Sequence, residues 1–269
     1  MRGRGRFRLR PSAGPVYLSA ALSESSPMIN LALSLLVGLA VFLAIKLPTD
    51  FGWTAAVLPA IVATLAAYLV LARRTWKKLE ALFEGMQKDL QAGKFEKAVK
   101  SLEGGFVLAP WQFLVATQLH SNIGMLLYVR EQYDEAYPHL EKSFSRHWIA
   151  RGMLGASRWR RRDTTGARSV LEDAVKANKK EGVLWSLYAF LLEKDGQHED
   201  AIRILARAVQ QNASDEKLKA SLQALQNGKK LKLGKLYGEQ WFQFRLEPPP
   251  GVIAPGFQRA NRRMIFRGR

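Results

Sequence analysis

The sequence predicts an all-α protein: a two-helix transmembrane hairpin followed by an α-solenoid of about four helical hairpins. Two observations support this prediction: two long apolar runs near the N-terminus, and four alanines that recur through the middle of the chain. The alanines are separated by 38, 31 and 34 residues, which brackets the period of a helix–turn–helix repeat. They are Ala98, Ala136, Ala167 and Ala201.

Residues 1–27 are rich in Arg and Ser and show no hydrophobic period. This composition predicts a disordered basic segment. It also suits a mitochondrial transit peptide, and equally an upstream extension before a true start at Met28. No function is assigned to these residues.

The predicted transmembrane hairpin occupies residues 28–72. Its two apolar runs, 29–45 and 53–72, contain no charged residue, and their lengths approach or reach the thickness of a bilayer core. Pro48 and Gly52 interrupt the helical pattern between them and predict a tight turn. Small residues recur every four positions and would let the two backbones approach closely. They include Ser34 and Gly38 in the first run and Ala56, Ala60, Ala63 and Ala67 in the second. A buried hairpin of a soluble protein is the alternative.

A basic juxtamembrane segment, residues 73–78, follows the second run. Its predicted membrane-interface residues are Arg73, Arg74, Trp76, Lys77 and Lys78. Positive residues remain on the cytoplasmic side of a membrane, and aromatic residues favour the interface. Both termini and the repeats are therefore expected in the cytoplasm. The Ala-, Arg- and Gly-rich composition favours a bacterial inner membrane as the location.

The segments around the four alanines share a pattern of small and large residues. A small residue lies twelve positions before three of the alanines, and a leucine lies four positions after each of them. The small residues are Gly124, Gly155 and Ala189, and the leucines are Leu102, Leu140, Leu171 and Leu205. This pattern resembles the tetratricopeptide repeat family, in which small residues lie where two helices cross.

The resemblance implies that residues 79–214 form the repeats, and residues 215–227 are expected to form a capping helix. It also implies a concave groove, lined by the first helix of each repeat, that binds protein partners and performs no chemistry. The predicted partner-binding residues are Asn122, Met125, Tyr128, Trp159, Arg160 and Phe190. Aromatic, Met and Arg side chains are enriched at interfaces. Trp159 and Phe190 could instead pack between repeats.

The net charge of +18 lies mainly outside the repeats. Residues 79–227 carry 21 basic and 19 acidic residues, whereas the tail, residues 228–269, carries ten basic and two acidic residues. A solenoid that grips nucleic acid would be basic along its own groove. The tail could lie on anionic lipid headgroups or fold back onto the repeats. Its last arginines predict a solvated arm, with nucleic-acid or ribosome contact as the alternative.

Enzymatic activity is not expected. The four histidines are far apart in repeat phase, and the chain has no cysteine, so no catalytic, metal-binding or cofactor-binding residue is predicted. The sequence therefore favours a membrane-anchored adaptor that binds protein partners at the cytoplasmic face of a membrane. A structural subunit of a larger membrane complex is the alternative, and tail-mediated contact with nucleic acid or ribosomes is a third.

Overall fold

The computed structural model describes residues 28–48 and 52–248. All regular secondary structure in these two stretches is helical. The chain divides into two compact units, one ending at Ala116 and the other beginning at Thr117. The predicted disordered segment 1–27, the turn around Asp50 and the arginine-rich arm within 249–269 lie outside the described residues.

The first unit contains the apolar hairpin and one further helical pair. Its elements are α1 (Ile29–Lys46), α2 (Trp53–Gln91), α3 (Phe95–Gly104) and a 3₁₀ helix (Gly105–Trp111). α1 and α2 pack along each other, and α3 and the 3₁₀ helix pack on α2. This is the two-helix arrangement that the apolar runs predict.

Small and polar residues form the contact between α1 and α2. A Cβ atom added to Gly38 would overlap Thr64 Oγ1, so a larger side chain there would displace Thr64. At the open end of the hairpin, Asn30 Nδ2 donates a buried hydrogen bond to Thr75 Oγ1, with the two atoms 3.0 Å apart. Because an unpaired amide is costly in an apolar environment, this bond satisfies a polar group that the first run carries.

α2 is longer than the second apolar run, because it continues without a break from Trp53 to Gln91. The basic segment 73–78, which the sequence analysis separates from both neighbours, is therefore part of one helix. Residues 73–91 contain no proline and consist mostly of Lys, Leu, Glu, Arg and Gln, which have high helix propensity. The first helix of repeat 1 is thus the C-terminal part of α2.

The second unit contains the other three repeats and the helices that follow them. Its elements are α4 (Val115–Val129, beginning at the boundary), α5 (Tyr133–Glu141), α6 (Trp148–Arg160), α7 (Thr164–Ala177), α8 (Gly182–Lys194), α9 (His198–Gln211), α10 (Glu216–Gln226), α11 (Leu233–Tyr237) and α12 (Glu239–Phe242). The repeats are the pairs α4/α5, α6/α7 and α8/α9. α10 packs on α9 and α8, and the Asp215 carboxylate caps its N-terminus by accepting from two backbone N–H groups.

The helix crossings have the packing that the repeat pattern predicts. All four repeat alanines are buried, as are the four leucines that follow them. A Cβ atom added to Gly155 would lie 2.7 Å from Leu171, and one added to Gly124 would lie 2.9 Å from Leu140. These contacts confirm the helical repeat fold.

Residues 229–247, called here the C-terminal segment, fold back onto the repeats. The segment contains α11 and α12, which are joined at Gly238 with φ 57° and ψ −130°, a conformation that strongly favours glycine. Its buried side chains are Leu231, Leu233, Tyr237, Trp241 and Phe244. Within the described residues, the aromatic part of the tail is therefore packed against protein.

Candidate partner-binding face

The candidate site is the first-helix face, defined as the surface formed by α4, α6 and α8. These are the first helices of repeats 2, 3 and 4, and α6 packs beside α8. All six predicted partner-binding residues lie on these helices. The structure shows that the chain itself covers part of this face.

Two aromatic side chains anchor the C-terminal segment. Trp241 and Phe244 are each 0% exposed. The Trp241 ring packs edge-on against Phe190, with ring centroids 4.9 Å apart, and the Phe244 ring lies 6.5 Å from that of Trp148. A Cβ atom added to Gly152 would lie 2.7 Å from Phe244 Cε1, so the missing side chain at 152 makes room for the phenylalanine.

Polar groups of the face bind the backbone of the segment. The buried Tyr128 hydroxyl donates to the Phe244 carbonyl at 2.7 Å, and Arg160 donates to the Arg245 carbonyl. Burial raises the pKa of Tyr128 well above its usual value, so its hydroxyl remains a hydrogen-bond donor at neutral pH. The Arg160 guanidinium also lies 4.2 Å from the centroid of the Tyr133 ring, which holds the donor in place.

Arg245 and Tyr237 of the segment make further contacts. Arg245 Nη2 donates to the Val129 carbonyl at 3.0 Å. The Tyr237 hydroxyl lies 3.0 Å from Ser186 Oγ in a buried contact, and burial raises the pKa of Tyr237 to about 12. The segment is thus bound through aromatic burial, through bonds to its backbone and through bonds made by its Tyr237 and Arg245 side chains.

The predicted partner-binding residues fall into two groups. Tyr128, Arg160 and Phe190 contact the C-terminal segment. The other three are partly exposed: Asn122, Met125 and Trp159. Trp159 Nε1 donates to Asp195 Oδ1 at 2.7 Å, which links α6 to the end of α8.

Arginines at and just after the end of α6 form ion pairs between repeats. Arg158 forms an ion pair with Glu141 at 3.1 Å, and Arg161 forms one with Asp134 at 2.7 Å. Both pairs join repeat 3 to repeat 2. These pairs occupy two of the charges that could otherwise receive an acidic partner segment.

A second candidate surface lies on the first unit. The five predicted membrane-interface residues of α2 are all exposed, with Trp76 at 52%. The described chain has two helices long and apolar enough to cross a membrane, Ile29–Lys46 and Trp53–Gln91, by length and composition. Most side chains in their apolar stretches are not buried within the protein.

The structure adds three exposed residues that the sequence analysis missed. Val107 is 75% exposed, Phe113 59% and Trp111 39%, in and just after the 3₁₀ helix that contacts both α1 and α2. The signal in the sequence is the density of large apolar residues in 106–113. A seven-residue 3₁₀ helix cannot bury them all.

One expectation about the histidines is wrong. His120 and His139, nineteen positions apart, lie with their Nδ1 atoms 3.1 Å from each other, because α4 and α5 pack as one repeat. Burial, together with Lys142, lowers the pKa of His139. Within residues 28–48 and 52–248, no group of three or more His, Asp or Glu side chains could hold a metal ion.

The comparisons with known proteins agree with the repeat architecture. Residues 159–225, from the end of α6 through most of α10, match the tetratricopeptide repeat family. This stretch is therefore similar to tetratricopeptide repeats, a family of protein-interaction scaffolds that is typically non-enzymatic. No curated protein matches the chain.

Several solved structures of MamA match part of this chain. A crystal structure of MamA is 14% identical, covers 66% of this chain and 98% of its own, and has a TM-score of 0.45. MamA from Desulfovibrio magneticus RS-1, from residue 41 to its end, is 19% identical, covers 62% and 93%, and has a TM-score of 0.43. A MamA RS-1 double mutant is 20% identical, covers 62% of this chain and 93% of its own, and has a TM-score of 0.44.

Proposed function

We propose that this protein is a membrane-anchored scaffold: α1 and the apolar part of α2 span a membrane, and the repeats bind a protein partner on its cytoplasmic side. The observation that carries the proposal is the combination of an outward-facing apolar hairpin and a run of tetratricopeptide repeats in one chain. The first supplies attachment, and the second supplies a surface for protein contacts.

The exposed apolar side chains of the hairpin support membrane attachment. Leu36 and Leu58 are 61% and 64% exposed, and they belong to a larger set on both helices. Such a surface is unfavourable in water, at about 25 cal/mol per Å² of apolar area, and favourable in lipid. At the open end of the hairpin, the buried side chains of Asn30 in α1 and Thr75 in α2 bond to each other, as a low-dielectric environment requires.

The surface charge supports a cytoplasmic position for the repeats. The basic cluster of α2, defined as Arg73, Arg74, Lys77 and Lys78, follows the apolar part of that helix directly. Positive residues so close to a span favour the cytoplasmic side, and anionic lipid headgroups there would attract them. A bacterial inner membrane fits these features. The near balance of charge in residues 79–227 argues against nucleic acid as the ligand of the repeats.

Site-specific photocrosslinking in native membranes tests the proposal. A benzophenone side chain at position 125, where Met125 is partly exposed on α4, should give covalent products with a protein partner. A matched probe at position 58, on the outward side of α2, should react mainly with lipid.

The opposite result would favour the structural-subunit alternative. In that case the probe at position 58 gives a stoichiometric product with another membrane protein, and the probe at position 125 gives no protein product.

A further inference from the structure

The C-terminal segment lies on the surface that the proposed function assigns to protein partners. We propose that this segment is a built-in competing ligand, which closes the first-helix face until a partner displaces it. That partner presents a helical turn with aromatic side chains three residues apart. This inference rests on the proposed function, because it names the partner chemistry for the same face.

The contacts define what the face recognises. Trp241 and Phe244 are three residues apart and project from one turn of chain, one against Phe190 and the other into the space above Gly152. Both side chains are fully buried. Residues at i and i+3 share one face of a helix, so a partner needs only one turn to place two rings in the same way.

The hydrogen bonds that the face donates to the backbone of the segment do not depend on the sequence of the ligand. Tyr128 and Arg160 donate to the carbonyls of residues 244 and 245, and every peptide has carbonyls. The face therefore selects its ligand by the two aromatic side chains and orients it by its backbone. A partner with the same spacing can reproduce both sets of contacts.

The segment is suited to displacement because its own helices are too short to hold their structure without the contacts that they make. α11 has five residues and α12 has four, and helices this short are not stable alone in water. Gly228 and Gly238 have φ of 64° and 57°. Gly228 separates the segment from α10, and Gly238 separates α11 from α12. Because the segment is tethered, its effective concentration at the face is on the order of mM, so only a well-matched partner can compete.

Membrane lipid is the other candidate for drawing the segment away. Its exposed lysines, such as Lys230 and Lys232, could approach anionic headgroups. However, Trp241 and Phe244 are buried in the protein. Their rings would have to leave these buried positions to enter a bilayer. The packing therefore favours a protein ligand, and lipid becomes an outcome of the test.

The first experiment uses the full chain in nanodiscs and a fluorescent synthetic peptide of residues 233–247. A full chain with Trp241→Ala and Phe244→Ala leaves the face open, and it should bind the peptide at least tenfold more tightly than the wild-type chain does. A peptide with alanine at both positions should not bind. Adding Gly152→Ala to the open chain should abolish binding, because the new methyl group fills the phenylalanine site, whereas Gly85→Ala, where a Cβ meets nothing within 4 Å, should not.

A second measurement does not depend on the folding of a variant. Hydrogen exchange of the wild-type chain should show faster exchange of residues 239–247 when excess peptide is added, with α8 and α9 unchanged. Unchanged exchange at saturating peptide would overturn the proposal, as would a folded open variant that does not bind. If phosphatidylglycerol vesicles release the segment and the peptide does not, the protein-ligand proposal is also overturned.

The proposed function can fail separately from this inference. Peptide binding with no protein crosslinked at position 125 in native membranes would leave the recognition chemistry intact and overturn the scaffold. Crosslinked partners whose yield is the same in the wild-type and open chains would support the scaffold and overturn displacement.

Discussion

One backbone conformation recurs in the turns inside the repeats. The residue five positions before each repeat alanine has a positive φ: Gly93 at 71°, Glu131 at 65°, Arg162 at 64° and Gly196 at 75°. Two of the turns use glycine, which adopts this conformation without steric cost. The other two place a side chain where L-residues are disfavoured by about 1–2 kcal/mol.

This difference predicts opposite effects of two substitutions. Arg162→Gly should raise the free energy of unfolding by about 0.5–1 kcal/mol, because relief of the strain exceeds the added flexibility of the unfolded chain. Gly196→Ala should lower it by about 1 kcal/mol. Urea titration of the purified chain, followed by circular dichroism, measures both changes. Two changes of the same sign would contradict the argument.

At the scale of elements, stability depends on how closely paired helices approach. Ala136 and Ala167 are 0% and 3% exposed and lie where the two helices of a repeat cross. Each is followed, four residues on, by a leucine that contacts a glycine of the partner helix. The same principle applies to the hairpin, where Gly38 allows α1 to reach Thr64.

Enlarging a crossing alanine should therefore destabilise the repeats. Ala136→Leu and Ala167→Leu should each cost roughly 1–3 kcal/mol through overpacking. Ala206→Leu, on the exposed side of α9, adds the same atoms with no crossing to disturb and should be nearly neutral. Thermal unfolding of the three variants tests this difference. Equal melting temperatures would mean that the crossings have been assigned to the wrong residues.

Local patterns made most helices predictable, and long-range contacts account for what was missed. The repeat alanines and their leucines repeat at fixed intervals, so their burial follows from spacing alone. The separation of residues 73–78 as a segment rests on their charge, and charge does not mark a helix boundary, because lysine and arginine favour helices. The position of Phe244 depends on residues such as Tyr128, 116 positions earlier, and no local period records such a contact.

At the scale of the whole molecule, excess positive charge is concentrated beside the apolar span and in the tail. The basic cluster of α2 is exposed and lies directly after the apolar residues of that helix. Four lysines of the C-terminal segment are also exposed, and together they carry the same net charge as the basic cluster: Lys229, Lys230, Lys232 and Lys235. The two clusters therefore provide a matched pair for testing how charge affects orientation.

Topology should depend on the first cluster and not on the second. Because the chain has no cysteine, single reporters can be placed in the turn as Asp50→Cys and on repeat 4 as Glu199→Cys. An impermeant maleimide applied to intact cells should label only the first. Replacing the basic cluster of α2 with glutamine should allow labelling of the Glu199→Cys reporter in a substantial fraction of molecules. The reason is that orientation is set by positive residues within about 15–20 residues of a span. The same replacement of the four lysines removes an equal charge far along the chain and should change nothing. If both replacements invert the labelling equally, net charge rather than charge beside the span sets the orientation. Labelling at Glu199→Cys in the chain with both clusters intact would place the repeats on the outer side.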